Sequence, residues 1–320
     1  MSDQSCSDTK YKKNYSDENW EAALFEFLQL VIGGVSIGCI YALVALGFVL
    51  IYKATEVVNF AQGDLMMLGA FLAYTFIGIF GWNYWVGAAA AIVGMFFVGN
   101  LIDRAVLRPV LGQPQFSIVM VTIGIGYVAR SAAGMVPGWG TETYAISTPF
   151  SSEGMRLVPE SMGSLVISQT DLSVIVATFV LCGILYAFFT YTRLGVGMQA
   201  ASQNQLASYY MGIPVKSVFS MIWGISAAVA AAAGILLAPT TLIDTSMGFL
   251  GLKAFPAAVL GGFGSIPGAV VGGIIIGIIE TLSGFYLPPG FKNVAAYIVL
   301  LVVLVVRPQG LFGEKTGKRV

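Results

Sequence analysis

The chain has 320 residues, of which 57% are apolar and only 10% charged, with 39 glycines, no histidine and a net charge of zero. Globular domains carry about 25% charged residues, so a soluble fold of this size could not cover its surface with so few, whereas a lipid-facing surface needs hardly any. The lack of histidine excludes His-based triads and His-ligated metal centres. Cys6, Cys39 and Cys182 show no metal or redox spacing, and a neutral balance without a basic cluster excludes nucleic acid as a partner.

In chain order, residues 1–23 are polar and of mixed charge, without the apolar core and small-residue cleavage site of a signal peptide. They are expected to form a disordered or surface-lying tail. An apolar run then extends over 24–52, broken in charge only by Glu26 and longer than the ~20 residues a spanning helix needs. Runs of suitable length follow at 65–81, 84–102, 116–133, 172–191, 218–237, 269–287 and 294–306, the last slightly short. A weaker stretch, 249–263, contains Lys253, Pro256 and paired glycines. The pattern predicts an all-α polytopic membrane helix bundle of about eight or nine transmembrane helices with interrupted segments. Its transmembrane domain covers 24–306, and a basic tail, 307–320, follows it into the cytoplasm.

Orientation follows from Lys and Arg, which are retained on the cytoplasmic side where connecting loops are short. Arg104 and Arg108, Arg193 and Lys216, and the C-terminal Arg307, Lys315, Lys318 and Arg319 mark three such regions. All three share one side only if 249–263 crosses the membrane, which puts the N-terminus outside, where Lys10, Lys12 and Lys13 fit poorly. The rule therefore leaves both parities open. On the same count the polar loop 134–169 is extracytoplasmic, and its length suits a docking surface rather than a simple turn.

Two segments, 53–70 and 238–268, combine short apolar pieces with Gly, Pro and polar residues, which is the sequence pointer to a substrate path in transporters. Asn59, Gln62 and Asp64 in the first, with Thr245 and Pro256 in the second, are the candidate path residues; polar groups placed there must cap helix ends or face the interior. For Asp64 the plain alternative is capping of the span that begins at 65. Glu280 lies near the middle of a span as the most isolated charge in the chain. Gly268, Gly272, Gly273 and Gly277 around it have the small-xxx-small spacing of a closely packed helix interface, so Glu280 is expected to hydrogen-bond a neighbouring helix.

The loop 192–216 differs in kind. Met198 to Met211 reads as one short helix, too polar and too short to span, with Leu206, Tyr209, Tyr210 and Ile213 forming an apolar edge and Gly212 with Pro214 stopping it. Small residues, Ala200, Ala201 and Ala207, are expected on its accessible side, where they could fit a groove on a partner protein.

Four motifs then carry a likeness: N-F-A-Q-G-D-L-M-M-L-G-A at 59–70, the 192–213 loop, A-V-L-G-G-F-G-S-I-P-G-A-V-V-G-G at 258–273 and R-P-Q-G-L-F-G at 307–313. Together they resemble the permease subunits of branched-chain amino acid ABC importers over residues 28–313. The resemblance implies a multi-pass protein of a prokaryotic plasma (inner) membrane. It implies that Met198, Ala200, Ala201, Asn204, Ala207, Met211 and Gly212 belong to a coupling helix docked on an ATP-binding subunit. It further implies a second, related permease and an extracytoplasmic solute-binding protein as partners, with lipid around the spans. No cofactor is expected on this chain; ATP and magnesium would bind the partner ATPase, since no Walker-type G-x-x-x-x-G-K-[ST] loop is present. The chain departs from the family pattern at Val196 and Gln199, where basic residues are common, at Gln62, where His is common, and in its longer polar N-terminus.

The implied cargo is a branched-chain or similar apolar amino acid, with urea, short amides or aromatic acids as alternatives carried by related permeases. An intramembrane enzyme using Asp64, Asp244 or Glu280, and an ion-coupled carrier or channel with Glu280 as its proton site, are the competing classes. The absence of His and of two carboxylates on one helical face opposes the first, and the coupling-type loop opposes the second.

Overall fold

The computed structural model describes residues 4–110, 112–140, 142–150, 154–156 and 166–313, giving only the backbone for 4–22, 155 and 156. Residues 314–320 of the expected basic tail lie outside the described residues. Helix α1 runs Gln4–Thr55. It is followed by α2 (Gln62–Tyr74), which continues as a π-helical turn over Thr75–Ile79, and by α3 (Tyr84–Ile102), which continues through Asp103–Leu107 in the same form. Next come α4 (Gln115–Met135), a small antiparallel hairpin pairing β1 (Gly154–Arg156) with β2 (Val166–Ser168), and α5 (Gln169–Tyr191). Two short helices, α6 (Arg193–Gln203) and α7 (Gln205–Tyr210), precede α8 (Val215–Thr241), α9 (Gly248–Gly261), α10 (Ile266–Tyr286) and α11 (Phe291–Val306).

Seven of these, α1 to α5 with α8 and α10, are long and apolar enough to cross a membrane, whereas α9 and α11 are shorter apolar helices of 14 and 16 residues. Contacts sort the helix ends onto two faces. On one, Gln205 Nε2 donates to Ala54 O, Arg108 Nη2 donates to Lys216 O, and the C-terminal segment adds to the end of α9 through Leu311 N to Leu260 O at 2.8 Å. On the other, Tyr144 and Ile243 exchange backbone hydrogen bonds and Phe150 meets Tyr84 and Trp85. Helix α9 starts beside the second face and ends on the first, so the doubtful segment does traverse. Arg104, Arg108, Arg193, Lys216 and Arg307 then share the cytoplasmic face, and the start of α1 lies on the side opposite the end of α11.

The expected tail at 1–23 differs in the structure, where the helix begins at Gln4. No Pro or Gly occurs before Gly33, so nothing in the sequence interrupts helix propagation once a turn exists. At 1.5 Å per residue, the 52 residues of α1 extend about 78 Å, well past a hydrocarbon core of about 30 Å. The helix stops where Glu56 takes a φ of 55°, and an irregular segment leads to α2.

The core is the antiparallel seam between α1 and α10, flanked by α8, α2 and α9. Side chains from Cys39 to Ile51 are buried almost without exception. Lipid tails are as apolar as Leu, so helices associate in a membrane through close packing rather than a hydrophobic drive. Glycines supply that closeness: a Cβ on Gly38 would stand 2.7 Å from Ile274 Cα, and one on Gly273 would stand 2.5 Å from Ala42 Cα. Gly268 and Gly272 meet the end of α9 in the same way, at Gly261 and Ala257, while Gly277 meets Gly38 and Gly34. The four glycines thus split between two partner helices.

Widening this seam should be costly. Gly273→Val is expected to lower stability by about 1–3 kcal/mol, as overpacking of a tight interface does, read as an earlier loss of monodispersity on heating in detergent. Gly183→Val, with open space around its Cα, should melt like the parent chain.

Candidate functional site

The irregular stretch between α1 and α2 leaves backbone and side-chain polar groups at membrane depth, and the side chains of Asn59 and Gln62 are both paired. Asn59 Oδ1 accepts from Ala61 N at 3.1 Å, closing a tight turn, and Asn59 Nδ2 donates to Gln62 Oε1 at 3.2 Å. Gln62 Nε2 donates to Ser226 O at 3.3 Å, and Ser226 Oγ lies 3.0 Å from both Gly47 O and Gln62 Oε1. Phe60 N donates to Thr122 Oγ1 on α4 at 3.2 Å. Unpaired polar groups in such a place would cost several kcal/mol each, so the network ties the break to α1, α4 and α8 at once.

Asp64 occupies the first turn of α2, where the helix dipole favours an anion. Its carboxylate pairs with Arg130 of α4, whose Nε and Nη2 donate to Oδ1 at 3.2 and 2.7 Å. Gly126 and Gly248 flank the carboxylate so closely that a side chain at either would displace it. The guanidinium lies 3.9 Å from the centre of the Phe249 ring and 5.8 Å from that of Tyr127, within cation–π range.

Below the break, a cavity of about 220 Å³ opens on the cytoplasmic half, lined by Asn59, Thr122, Asp103, Gln113, Gln205 and Trp223 among others. Asp103 on its wall accepts from Arg108 Nε at 3.2 Å and from Ser220 Oγ at 2.5 Å. On the outer half of the α1–α10 seam, Glu280 accepts from Lys253 Nζ at 2.8 Å and from Tyr41 Oη at 2.7 Å, while Lys253 also donates to Asn293 Oδ1 at 3.0 Å.

The cytoplasmic loop is anchored rather than free. Gly195 is pressed against the backbone of Phe188 and Phe189, and Met198 and Ala201 are buried. Asn204 leaves helical geometry at a φ of −153°, and its Oδ1 accepts from Ala207 N at 2.9 Å, starting α7. Leu206, Tyr209, Tyr210 and Met211 are displayed outward, from 65% exposed at Leu206 to 82% at Met211.

Residues 30–306 match the family model described as branched-chain amino acid transport system / permease component. The chain belongs to this permease family. It is similar to the high-affinity branched-chain amino acid transport system permease proteins LivH of Escherichia coli (strain K12), 32% identical over 92% of this chain and 98% of that one, and LivH of Salmonella typhimurium, 31% identical over the same shares. BraD of Pseudomonas aeruginosa, of the same description, is 31% identical over 93% of this chain and 99% of its own length. A solved structure, PsaBC from Streptococcus pneumoniae in complex with Fab, aligns with a TM-score of 0.48 and 14% identity over 88% of this chain and 92% of that chain. The permease is a multi-pass inner-membrane protein.

Several sequence expectations change at the site. The single helix expected over 198–211 is two, broken at Asn204, whose side chain caps better than it propagates a helix. Of the small residues expected on its accessible side, Ala207 is exposed and Ala200 partly so, but Ala201 turns inward with Met198, and the apolar edge of Leu206, Tyr209 and Tyr210 faces outward with Gly212. The small side chains are what lets the loop approach α5 and α1. Asp64 does not cap α2, which starts three residues earlier than expected from the apolar run, at Gln62. Among the candidate path residues, Asn59 faces the cavity, Gln62 is fully buried in the polar network, Pro256 is buried within α9 and Thr245 is half-buried in the turn before it. Gly63 packs on Gly251 and on the backbone of Gly248, so the two path segments meet directly.

Glu280 is not isolated, because Lys253 is 27 residues away in sequence and one helix away in space. Arg130 escaped the sequence reading altogether, although a lone cation inside the apolar run 116–133 was the available signal.

The Lys253–Glu280 pair is buried, with side chains 16% and 3% exposed. Lys253→Met strands the carboxylate with Tyr41 alone and is expected to cost about 3–5 kcal/mol, whereas Lys253→Met with Glu280→Gln should recover most of it. Thermal unfolding of the singles and the double gives the coupling.

Proposed function

We propose that the chain is the membrane-spanning subunit of an ATP-driven importer that carries branched-chain or similar apolar amino acids. It has no catalytic role of its own. ATP and magnesium bind separate ATPase subunits on the cytoplasmic face, a second related permease completes the passage, and an extracytoplasmic binding protein delivers the solute. The loop 136–168 with its hairpin supplies the outer docking surface.

The single observation that carries the reading is the display of Leu206, Tyr209, Tyr210 and Met211 on a loop whose other side is clamped to α1 and α5. Four large apolar side chains held rigidly in cytoplasmic water mark a protein contact, and aromatic and Met anchors of this kind are enriched in interface centres. The loop has direct mechanical access to the membrane break: Gln205 holds Ala54 at the end of α1, one residue before the helix terminates at Thr55. Movement of the loop by an ATPase would therefore pull on the segment that carries Asn59 and Gln62.

Met211→Asp and Tyr210→Asp are expected to abolish co-purification with the ATPase and ATP-dependent uptake of labelled leucine, isoleucine and valine while leaving the melting temperature unchanged. Loss of a central interface anchor costs about 2 kcal/mol or more. Wild-type ATPase capture by both variants would falsify this assignment, and an assembled wild-type importer that takes up none of the three amino acids would overturn the substrate.

A further inference from the structure

Three ion pairs occur among the described residues, and they differ in how fully their polar atoms are used. In Lys253–Glu280 both carboxylate oxygens are taken and the ammonium has two partners. At the cytoplasmic edge Asp103 Oδ2 accepts from Arg108 Nε and Ser220 Oγ, and Arg108 Nη2 donates to Ser220 Oγ and Lys216 O, which leaves Asp103 Oδ1 and Arg108 Nη1 unused among the described residues. In Asp64–Arg130, likewise, both bonds converge on one oxygen, Oδ1. Among the described residues, Arg130 Nη1 donates to nothing and Asp64 Oδ2 accepts from nothing.

What sets this pair apart is its surroundings of glycine on one side and aromatic rings on the other. Its inner side is walled by Gly126 and Gly248. Its outer side is flanked by Phe249 and Tyr127, 52% and 64% exposed, and the Arg130 side chain itself is 21% exposed. Asp64 lies 15 residues inward of Ile79, about 22 Å along the helix, whereas Arg130 stands five residues before the outer end of α4 at Met135, so the guanidinium reaches inward to a deeper carboxylate. A partly exposed ion pair with an unused donor and an unused acceptor is costly against hydrocarbon. A valley between α4 and α9 that admits water would serve both unused atoms.

We infer that Asp64 and Arg130 form the element of the passage that recognises the zwitterionic end of the travelling amino acid. Arg130 Nη1 donates to its α-carboxylate, Asp64 Oδ2 accepts from its α-ammonium, and Phe249 and Tyr127 meet its apolar side chain. A site of zero net charge with one free donor group and one free acceptor matches a solute of zero net charge carrying both signs. Urea and simple amides lack the charges, and an aromatic acid would leave the carboxylate of Asp64 facing a second anion. The assignment rests on the reading of the chain as an amino acid permease and makes it specific for free α-amino acids.

The complete importer in proteoliposomes, with ATPase and binding protein, tests it with labelled leucine. Arg130→Gln is expected to reduce uptake about tenfold or more, the worth of a lost charge-assisted hydrogen bond, with ATP hydrolysis stimulated by the binding protein retained. Asp64→Asn combined with Arg130→Gln removes both charges and keeps the shape. A bridge that is only structural would recover uptake in this double variant, and such recovery overturns the inference; continued loss supports it. Accessibility gives a readout independent of transport. Phe249→Cys in the assembled importer should react with a charged methanethiosulfonate reagent, more slowly in leucine but not in leucinamide. An inert cysteine, an unprotected one, or equal protection by leucinamide overturns the assignment. A wild-type importer that moves no leucine defeats the amino acid reading itself, and the same labelling still decides whether this valley is wet.

Discussion

A polar group carried to membrane depth needs a partner in the protein or water in a cavity, because hydrocarbon offers none. That constraint organises this permease more than hydrophobic burial does, since the surrounding lipid is as apolar as the core. The irregular segment before α2 can lie within the bundle because Thr122 and Asn59 accept from the backbone N–H groups of Phe60 and Ala61, and Gln62 bonds both Asn59 and Ser226. Thr122, Asn59, Gln62 and Ser226 come from three helices and the break itself, so the same bonds that satisfy the break also hold α2, α4 and α8 around it.

The small-residue seams serve the same end by a different route. Where α1 meets α10 and α10 meets α9, glycine and alanine bring backbones together without leaving room for lipid or water. The resulting core is stiff, and it positions the side chains of α9 on two sides: Lys253 toward Glu280 and Phe249 toward Arg130. A short helix with an internal proline can be held straight enough for this because its neighbours, rather than its own hydrogen bonds, define its path.

The cytoplasmic loop connects to this core through few but direct contacts. Its buried face, Gly195, Met198 and Ala201, is packed under the ends of α1 and α5, and its exposed face is apolar. A rigid lever with a greasy outer surface transmits force between a soluble partner and a membrane segment more effectively than a flexible link could. The polar network beside Asn59 is the nearest structure that such a force would meet.

The sequence by itself determined the class of protein, the nearly complete set of helices, the existence of a non-spanning cytoplasmic loop and the family likeness, because these follow from local composition and from motifs whose residues are contiguous. Run length and the scarcity of charge were enough for the spans, and even the doubtful 249–263 segment was flagged by its Lys and Pro. Partnership was beyond its reach. Glu280 looked isolated because Lys253 belongs to another helix, and Arg130 passed unremarked because a single cation in a long apolar run barely changes its hydropathy. The side on which α1 starts was likewise undecided until α9 was seen to run from one face to the other. The direction in which Ala201 and Tyr209 point was a tertiary matter too: a helix of mixed small and aromatic residues has two plausible inner faces. Close approach of α5 and α1, made through Gly195, Met198 and Ala201, selected between them.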